Sequence, residues 1–205
     1  FCFKIIFMIE ARNLVKSFHD GDTVTKVLKG INFRAENGEF VTIMGRSGAG
    51  KSTLLYQLSL LDEPTSGDIM IDARLAKTMR SAEKTSFRLT QFGYVFQDYA
   101  LIPELTALDN TMLPLLMQGK TGGAAARDGL AALQRVGLTA HIKQLPSQLS
   151  GGEQQRVSIA RAVAHSPKIL FADEPTANLD NQSAALVMNI FKELHAAGQT
   201  IIMVT

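Results

Sequence analysis

The sequence predicts an α/β fold with three parts: an N-terminal antiparallel β layer, a mostly parallel covered sheet, and a helical subdomain inserted between two strands of that sheet. Three observations predict it. First, a strand, a glycine loop and a helix follow one another at Glu39–Leu58. Within them Gly45-Arg46-Ser47-Gly48-Ala49-Gly50-Lys51-Ser52 fits the phosphate-binding pattern G-x-x-x-x-G-K-[ST]. Second, helices and strands alternate again from Glu153 to Val204. Third, the stretch 98–149 between these regions is too dense in leucine and too long for strands.

The bulk composition suits one soluble globular domain spanning residues 1–205, with 46% apolar and 20% charged residues. A net charge of +2 is too small to argue for a nucleic-acid partner. The single cysteine, Cys2, excludes an intrachain disulfide and suits a reducing compartment. The opening Phe1-Cys2-Phe3-Lys4-Ile5-Ile6-Phe7 is apolar but far short of the roughly 18 residues of a membrane span. It also lacks the basic start and cleavage site of a signal peptide. Met8 reads as the natural start and residues 1–7 as an upstream extension. No other segment is long and apolar enough to insert into a membrane, so a membrane role has to come through a partner.

Residues Ile9 to Met44 read as the antiparallel layer, with strands at Ile9–Lys16, Val27–Arg34 and Glu39–Met44. Asp20-Gly21 and Asn37-Gly38 supply the turns, because glycine and asparagine tolerate positive φ. Phe18 closes the first strand. After the glycine loop a helix runs to about Leu61, then Pro64-Thr65-Ser66-Gly67 turns into a short strand, Asp68–Ile71. A polar helix at Ser81–Leu89 leads into the buried strand Phe92–Phe96, followed at once by Gln97. Pro103 and Pro114 break or start helices in the leucine-rich part, Gly119–Gly123 is a loop, and Ala124–Val136 is a helix. Helix, strand, helix and strand then follow at Glu153–His165, Lys168–Ala172, Ser183–Ala197 and Thr200–Val204. The sequence ends at Thr205 inside an apolar strand, from which a C-terminal truncation is expected.

The glycine loop aims backbone N–H groups and a helix N-terminus at an anion. A phosphate held there needs an acid to anchor a metal ion. Asp-Glu-Pro-Thr occurs twice, at Asp62–Thr65 and Asp173–Thr176. The first copy follows a helix and opens into Ser66-Gly67, so proline and glycine explain it as a turn. The second follows the apolar run Lys168–Ala172 and so ends a buried parallel strand, where α/β sheets place ligands. Asp173 is therefore assigned to Mg²⁺ and Glu174 to polarising the attacking water.

A second anion site is read at Ser150-Gly151-Gly152. Ser150 with Glu153 three residues on is a capping box. Capping leaves the two glycines unexplained, since each costs about 1 kcal/mol inside a helix relative to alanine. They point to a close approach to the backbone. The two anion sites meet either within one chain or across a dimer.

Together these residues resemble the ATP-binding cassette (ABC) ATPases. Gly45–Ser52 resembles their Walker A, Lys168–Glu174 their Walker B, Leu149–Arg156 their signature motif, Gln97 their Q-loop and Asn178-Leu179-Asp180 their D-loop. The likeness covers Ile9–Thr205 in the family's motif order. It implies a P-loop NTPase core at residues 8–97 and 151–205, with a helical subdomain at about 98–150 that ends in the signature motif. It also implies a head-to-tail homodimer with each ATP between Walker A of one subunit and Ser150, Gly151 and Gly152 of the other.

The roles follow from the resemblance. Lys51 and the amides of Gly45, Arg46, Ser47, Gly48, Ala49 and Gly50 bind the β- and γ-phosphates. Ser52 ligates Mg²⁺ and Thr53 lies near the α-phosphate. Gln97 contacts Mg²⁺ or water and relays the nucleotide state to the helical subdomain. Asp180 helps shape the opposite site. Phe18 takes the place of the family's adenine-stacking aromatic, keeping the π face. Arg46 departs from the small residue frequent at its position and is expected to face solvent. The family's switch histidine would come immediately after Thr205; His19, His141, His165 and His195 do not stand in for it.

The expected function is the ATP-hydrolysing subunit of an ABC transporter. It would be cytoplasmic, peripheral on the inner face of the plasma (inner) membrane, and partnered by membrane permease subunits through Tyr99–Gln118. Leu61–Asp68, Leu101–Ala107 and Ala172–Asp180 resemble the ATPases of lipoprotein-release, macrolide-export and cell-division permease systems. The competing class is a non-transport ABC ATPase of DNA-repair or regulatory type. Against the repair type, only residues 53–149 separate Walker A from the signature and they hold no sustained heptads. Against a catalytically dead regulatory cassette, Lys51, Asp173 and Glu174 are all present.

Overall fold

A computed structural model describes residues 9–21 and 23–205. The expected start at Met8 and the extension before it lie outside these residues. The elements follow in chain order as β1 (Ile9–Asp20), β2 (Thr23–Ala35), β3 (Phe40–Ile43), α1 (Lys51–Leu58), β4 (Ser66–Ile71), β5 (Arg74–Leu75), α2 (Ser81–Gln91) and β6 (Phe92–Val95). Then come α3 (Ala107–Met117), α4 (Gly122–Arg135), α5 (Gly151–Val163), β7 (Ile169–Asp173), α6 (Asn181–Ala196) and β8 (Thr200–Val204).

Two four-stranded sheets form the frame. One is antiparallel with order β2-β1-β4-β5, and the other is parallel with order β3-β8-β7-β6. The third strand thus corrects the expectation that Ile9–Met44 forms one layer. β3 leaves the antiparallel sheet and pairs with β8, Phe40 opposite Ile201 and Ile43 opposite Val204. The turn before it is the cause. Gly38, at φ +77°, donates its N–H to Thr200 Oγ1 at 2.8 Å, and Ile201 N–H donates to Glu39 O at 2.9 Å. These bonds carry the chain across to β8 instead of back onto β2.

β7 and β8 read as unbroken apolar runs because both faces of the parallel sheet are covered. Alternate residues face opposite ways along a strand. Leu170, Ala172, Ile201 and Met203 pack into a core shared with α5 and α6. Ile169, Phe171, Ile202 and Val204 pack on the other side with Leu54, Leu55 and Leu58 of α1 and the inner face of the antiparallel sheet. Asp173 ends β7 on the face that carries Phe171, which is the face α1 covers.

Helix ends shift by a residue or more from expectation, and three features of the helices carry a physical reason. α1 stops at Leu58 rather than Leu61, because Leu60 takes φ +59° and the N–H groups of Leu61 and Asp62 both turn back to Tyr56 O. α4 starts within the expected loop: Thr121 caps it and Gly122 and Gly123 form its first turn. Pro114 lies inside α3. It is tolerated there in the last turn, where its carbonyl still accepts from Gln118 N–H at 3.2 Å.

Candidate active site

The glycine loop joins β3 to α1 at the carboxyl edge of the parallel sheet. Residues 45–49 are exposed. Gly48 and Gly50 take φ +75° and +88°, a conformation open to glycine and costly for other residues. At Gly50 space is also short: a Cβ would stand 2.7 Å from Val27 Cγ1 of β2. α1 then begins with no side-chain cap and no acidic residue in its first turn. An uncapped helix start behind an exposed glycine loop offers its amides to an anion.

Two pairs of side chains converge on this loop. Ser52 Oγ donates to Asp173 Oδ1 at 2.7 Å. Lys51 Nζ donates to the carbonyls of Gly45 at 3.0 Å and Arg46 at 3.4 Å, and it forms an ion pair with Glu174 Oε1 at 3.3 Å. Asp173 is buried and Glu174 takes φ +41°, an uncommon conformation for a residue with a side chain. Its N–H donates to Val204 O at 3.0 Å, which anchors the strained residue to β8. Burial pushes the Asp173 carboxyl up, and the neighbouring Glu174 charge adds to that; the donors Ser52 and Tyr56 and the Lys51 charge pull it back.

Two phenols near Asp173 were not singled out from the sequence. Tyr56 stands one turn after Ser52 on α1, and Tyr94 faces Phe171 in the β6–β7 register. Their rings lie 6.1 Å apart. Tyr94 also stacks on Phe171 at 6.2 Å, and its buried hydroxyl has no hydrogen-bond partner among the described residues. Burial first and the Asp173 charge second push both phenols up. In sequence the only signal was two tyrosines within apolar stretches, which gives no pairing.

The other predicted residues fall as follows. Arg46 is exposed, as expected. Thr53 is half-buried in the first turn of α1. Phe18, near the end of β1, is 47% exposed, and Lys16 Nζ lies 5.1 Å from the centre of its ring. Gln97 follows β6 and is exposed, and its carbonyl accepts from Asn178 Nδ2 at 3.1 Å. Asp180 caps α6, accepting from the N–H groups of Gln182 and Ser183 at 2.9 Å and from Ser183 Oγ at 2.6 Å. The first Asp-Glu-Pro-Thr copy is a turn: Asp62 accepts from Lys16 Nζ at 2.8 Å and Gln57 Nε2 at 2.7 Å.

Ser150 caps α5 in the expected capping box. Its hydroxyl donates to Glu153 Oε2 at 2.7 Å, and the same oxygen accepts from Ser150 N–H at 2.8 Å. These two bonds hold the Glu153 carboxyl below its usual range. The glycines that follow are closely approached from within the chain. A Cβ on Gly151 would meet Tyr99 Oη at 3.0 Å, and one on Gly152 would meet Ser183 Oγ at 2.7 Å. Among the described residues no hydrogen bond or ion pair joins Ser150–Gly152 to Gly45–Ser52.

A glycine loop on a parallel sheet, with a lysine, a serine and two acids at its mouth, defines a P-loop nucleotide-binding protein. The family model for ABC transporters matches residues 28–177. An uncharacterized ABC transporter ATP-binding protein of Methanocaldococcus jannaschii, MJ1508, is 48% identical over 97% of this chain and 88% of its own. The lipoprotein-releasing system ATP-binding protein LolD of Aquifex aeolicus is 47% identical over 88% of this chain and 80% of its own. The dimeric structure of MJ0796, described as a bacterial ABC transporter cassette, superposes with a TM-score of 0.89 at 40% identity, covering 96% of this chain and 87% of that one. A second structure of MJ0796 is described as a post-hydrolysis state bound to ADP and Pi. The chain belongs to the ABC transporter family, as one of its ATPase cassettes. Among the described residues no helix is long and apolar enough to cross a membrane.

Proposed function

We propose that this cassette binds and hydrolyses ATP to drive a membrane permease of the lipoprotein-release or macrolide-export type. It works as a head-to-tail homodimer on the cytoplasmic face of the membrane. The observation that carries this reading is the convergence of Lys51 with Glu174 and of Ser52 with Asp173 at the mouth of the glycine loop. The likeness to LolD and to dimeric MJ0796 supports the permease type and the dimer.

This reading gives the residues the following roles, which the convergence at the glycine loop supports. Lys51 and the loop amides take the β- and γ-phosphates, and Phe18 offers its exposed ring to adenine. Ser52 and Asp173 form an oxygen-donor pair that fits Mg²⁺, which takes few protein ligands and completes its shell with phosphate oxygens and water. Gln97, two residues past the end of β6, joins that shell on the same reading. Bound Mg²⁺ supplies charge neutralisation at the phosphates. Glu174 orients and polarises the attacking water, a positioning and electrostatic role.

Ser150, Gly151 and Gly152 complete the site of a second copy. The likeness to the dimeric MJ0796 cassette supports that arrangement. Asp180, next to Ser183 and Gly152, shapes the same edge. Residues 98–150 form the subdomain that carries the nucleotide state to the permease. Their contact is placed at the end of α3, where Met117 is 70% exposed beside a groove lined by Leu113, Pro114, Arg88 and Tyr94.

Phosphate release from Mg-ATP tests the reading, measured for the chain alone and with a permease of the lipoprotein-release or macrolide-export type. Stimulation by that permease supports it. No hydrolysis in either condition contradicts it.

A further inference from the structure

Two successive residues after Gln97 hold an unfavourable backbone conformation. Tyr99 takes φ +63° and Ala100 φ +47°, the left-handed region that a Cβ disfavours. Such a pair persists only when its surroundings over-determine it. The surroundings here are a guanidinium. Arg161, in the last turn of α5, donates from Nη2 to Tyr99 O at 2.9 Å and from Nη1 to Ala100 O at 2.5 Å. Arg161 forms no ion pair with a carboxylate among the described residues. Burial weighs against its charge, and Asp98 alone opposes that from a distance. A partly buried cation is thus committed to two carbonyls of one strained turn.

That turn touches three of the motifs. Gln97 begins it, and its carbonyl is held by Asn178 Nδ2. Tyr99 N–H returns to Phe96 O at 3.3 Å, and Tyr99 Oη lies over Gly151. Arg161 also lines the groove beside Leu113, Pro114 and Met117. The guanidinium therefore stands between that groove and the loop that carries Gln97.

We propose that Arg161 is a positioning residue for Gln97. Its fork latches Tyr99–Ala100 in the left-handed conformation, sets the course of the backbone at Gln97, and lays the Tyr99 phenol on Gly151. This rests on the role given above to Gln97, and the planar fork explains why arginine serves here better than lysine. Glycine adopts positive φ without a Cβ penalty, so Ala100→Gly relieves one of the two strained positions and lessens the need for the latch.

The test compares Arg161→Ala, Arg161→Lys and Arg161→Ala combined with Ala100→Gly in the whole chain. Hydrogen exchange is measured at amides 97–101, and kcat and KM for Mg-ATP are measured in parallel. Exchange at these amides is expected to rise about tenfold in Arg161→Ala and less in Arg161→Lys, with β7 and β8 unchanged. kcat is expected to fall with KM nearly constant, and the added glycine is expected to recover part of it. Loop exchange equal to the parent in both single variants overturns the latch, whatever the ATPase activity of the chain. Faster exchange with unaltered kcat overturns its service to Gln97. A kcat loss that Ala100→Gly does not recover shows a packing role and overturns the proposal as well.

Discussion

Lys51 Nζ lies 3.3 Å from Glu174 Oε1. The phosphate loop and the end of β7, far apart in sequence, are thus joined by the two charges assigned to the phosphate and to the water. The same ammonium also bonds the carbonyls of Gly45 and Arg46. On the proposed reading, phosphate oxygens take Lys51 from Glu174 and leave the carboxylate for water.

Lys51→Ala removes the one side-chain cation that, among the described residues, contacts the loop's own carbonyls. ATP affinity is expected to fall about 100-fold, the loss of about 3 kcal/mol of charge-assisted contact. Calorimetry that returns the parent affinity contradicts the assignment.

Phe18→Ala should weaken ATP about fivefold, since an aromatic face contributes about 1 kcal/mol beyond area burial. Phe18 is half exposed, and Lys16 keeps its ion pair with Asp62 at 2.7 Å, so the fold should hold. An equal affinity for ATP and for the bare triphosphate in the parent chain would remove the role of the ring.

Gly50→Ala places a Cβ 2.7 Å from Val27 Cγ1 at φ +88°. The expected cost is about 1–3 kcal/mol. Scanning calorimetry should show it as a Tm drop of roughly 2–4 °C per kcal/mol. An unchanged Tm would mean that the loop relaxes freely, which the contact with β2 excludes.

Glu153 carries a pH dependence. Its two bonds from Ser150 hold its carboxyl below the ordinary value of 4.5. A lowered folded-state value means that the associated stability is present above 4.5 and is lost as pH falls through the lower folded value. Glu153→Gln is expected to cost about 1 kcal/mol at neutral pH, as for a lost cap. The gap in Tm between parent and variant should close as pH is lowered below 4.5. A gap constant down to pH ~3 contradicts the contribution of the charge.

The parts of the fold that could be read from sequence are those whose signal is local. Gly45–Ser52 announces its loop by spacing, and β7 and β8 announce two-sided burial by unbroken apolar runs. Ser150 with Glu153 three residues on announces the cap of α5. Asn37-Gly38 was misread because a turn dipeptide does not say which strand receives the chain; Thr200 and Glu39 decide that. Gly151 and Gly152 announced a close approach, and the sequence did not say that Tyr99 and Ser183 make one. Arg161 and the Tyr99 carbonyl are 62 residues apart, and Tyr94 meets Tyr56 only through the stacking of β6 on α1. Such contacts have no periodicity from which to be read.

The central claim is that the glycine loop of one copy is completed by Ser150–Gly152 of another, with Glu174 driving the hydrolysis that separates them. Light scattering on Glu174→Gln with and without Mg-ATP tests it most directly. ATP should bind with near-parent affinity, turnover should fall at least about 100-fold, and the scattering mass should double only when ATP is present. Undiminished turnover, or a mass that stays at one chain with ATP bound, would contradict it.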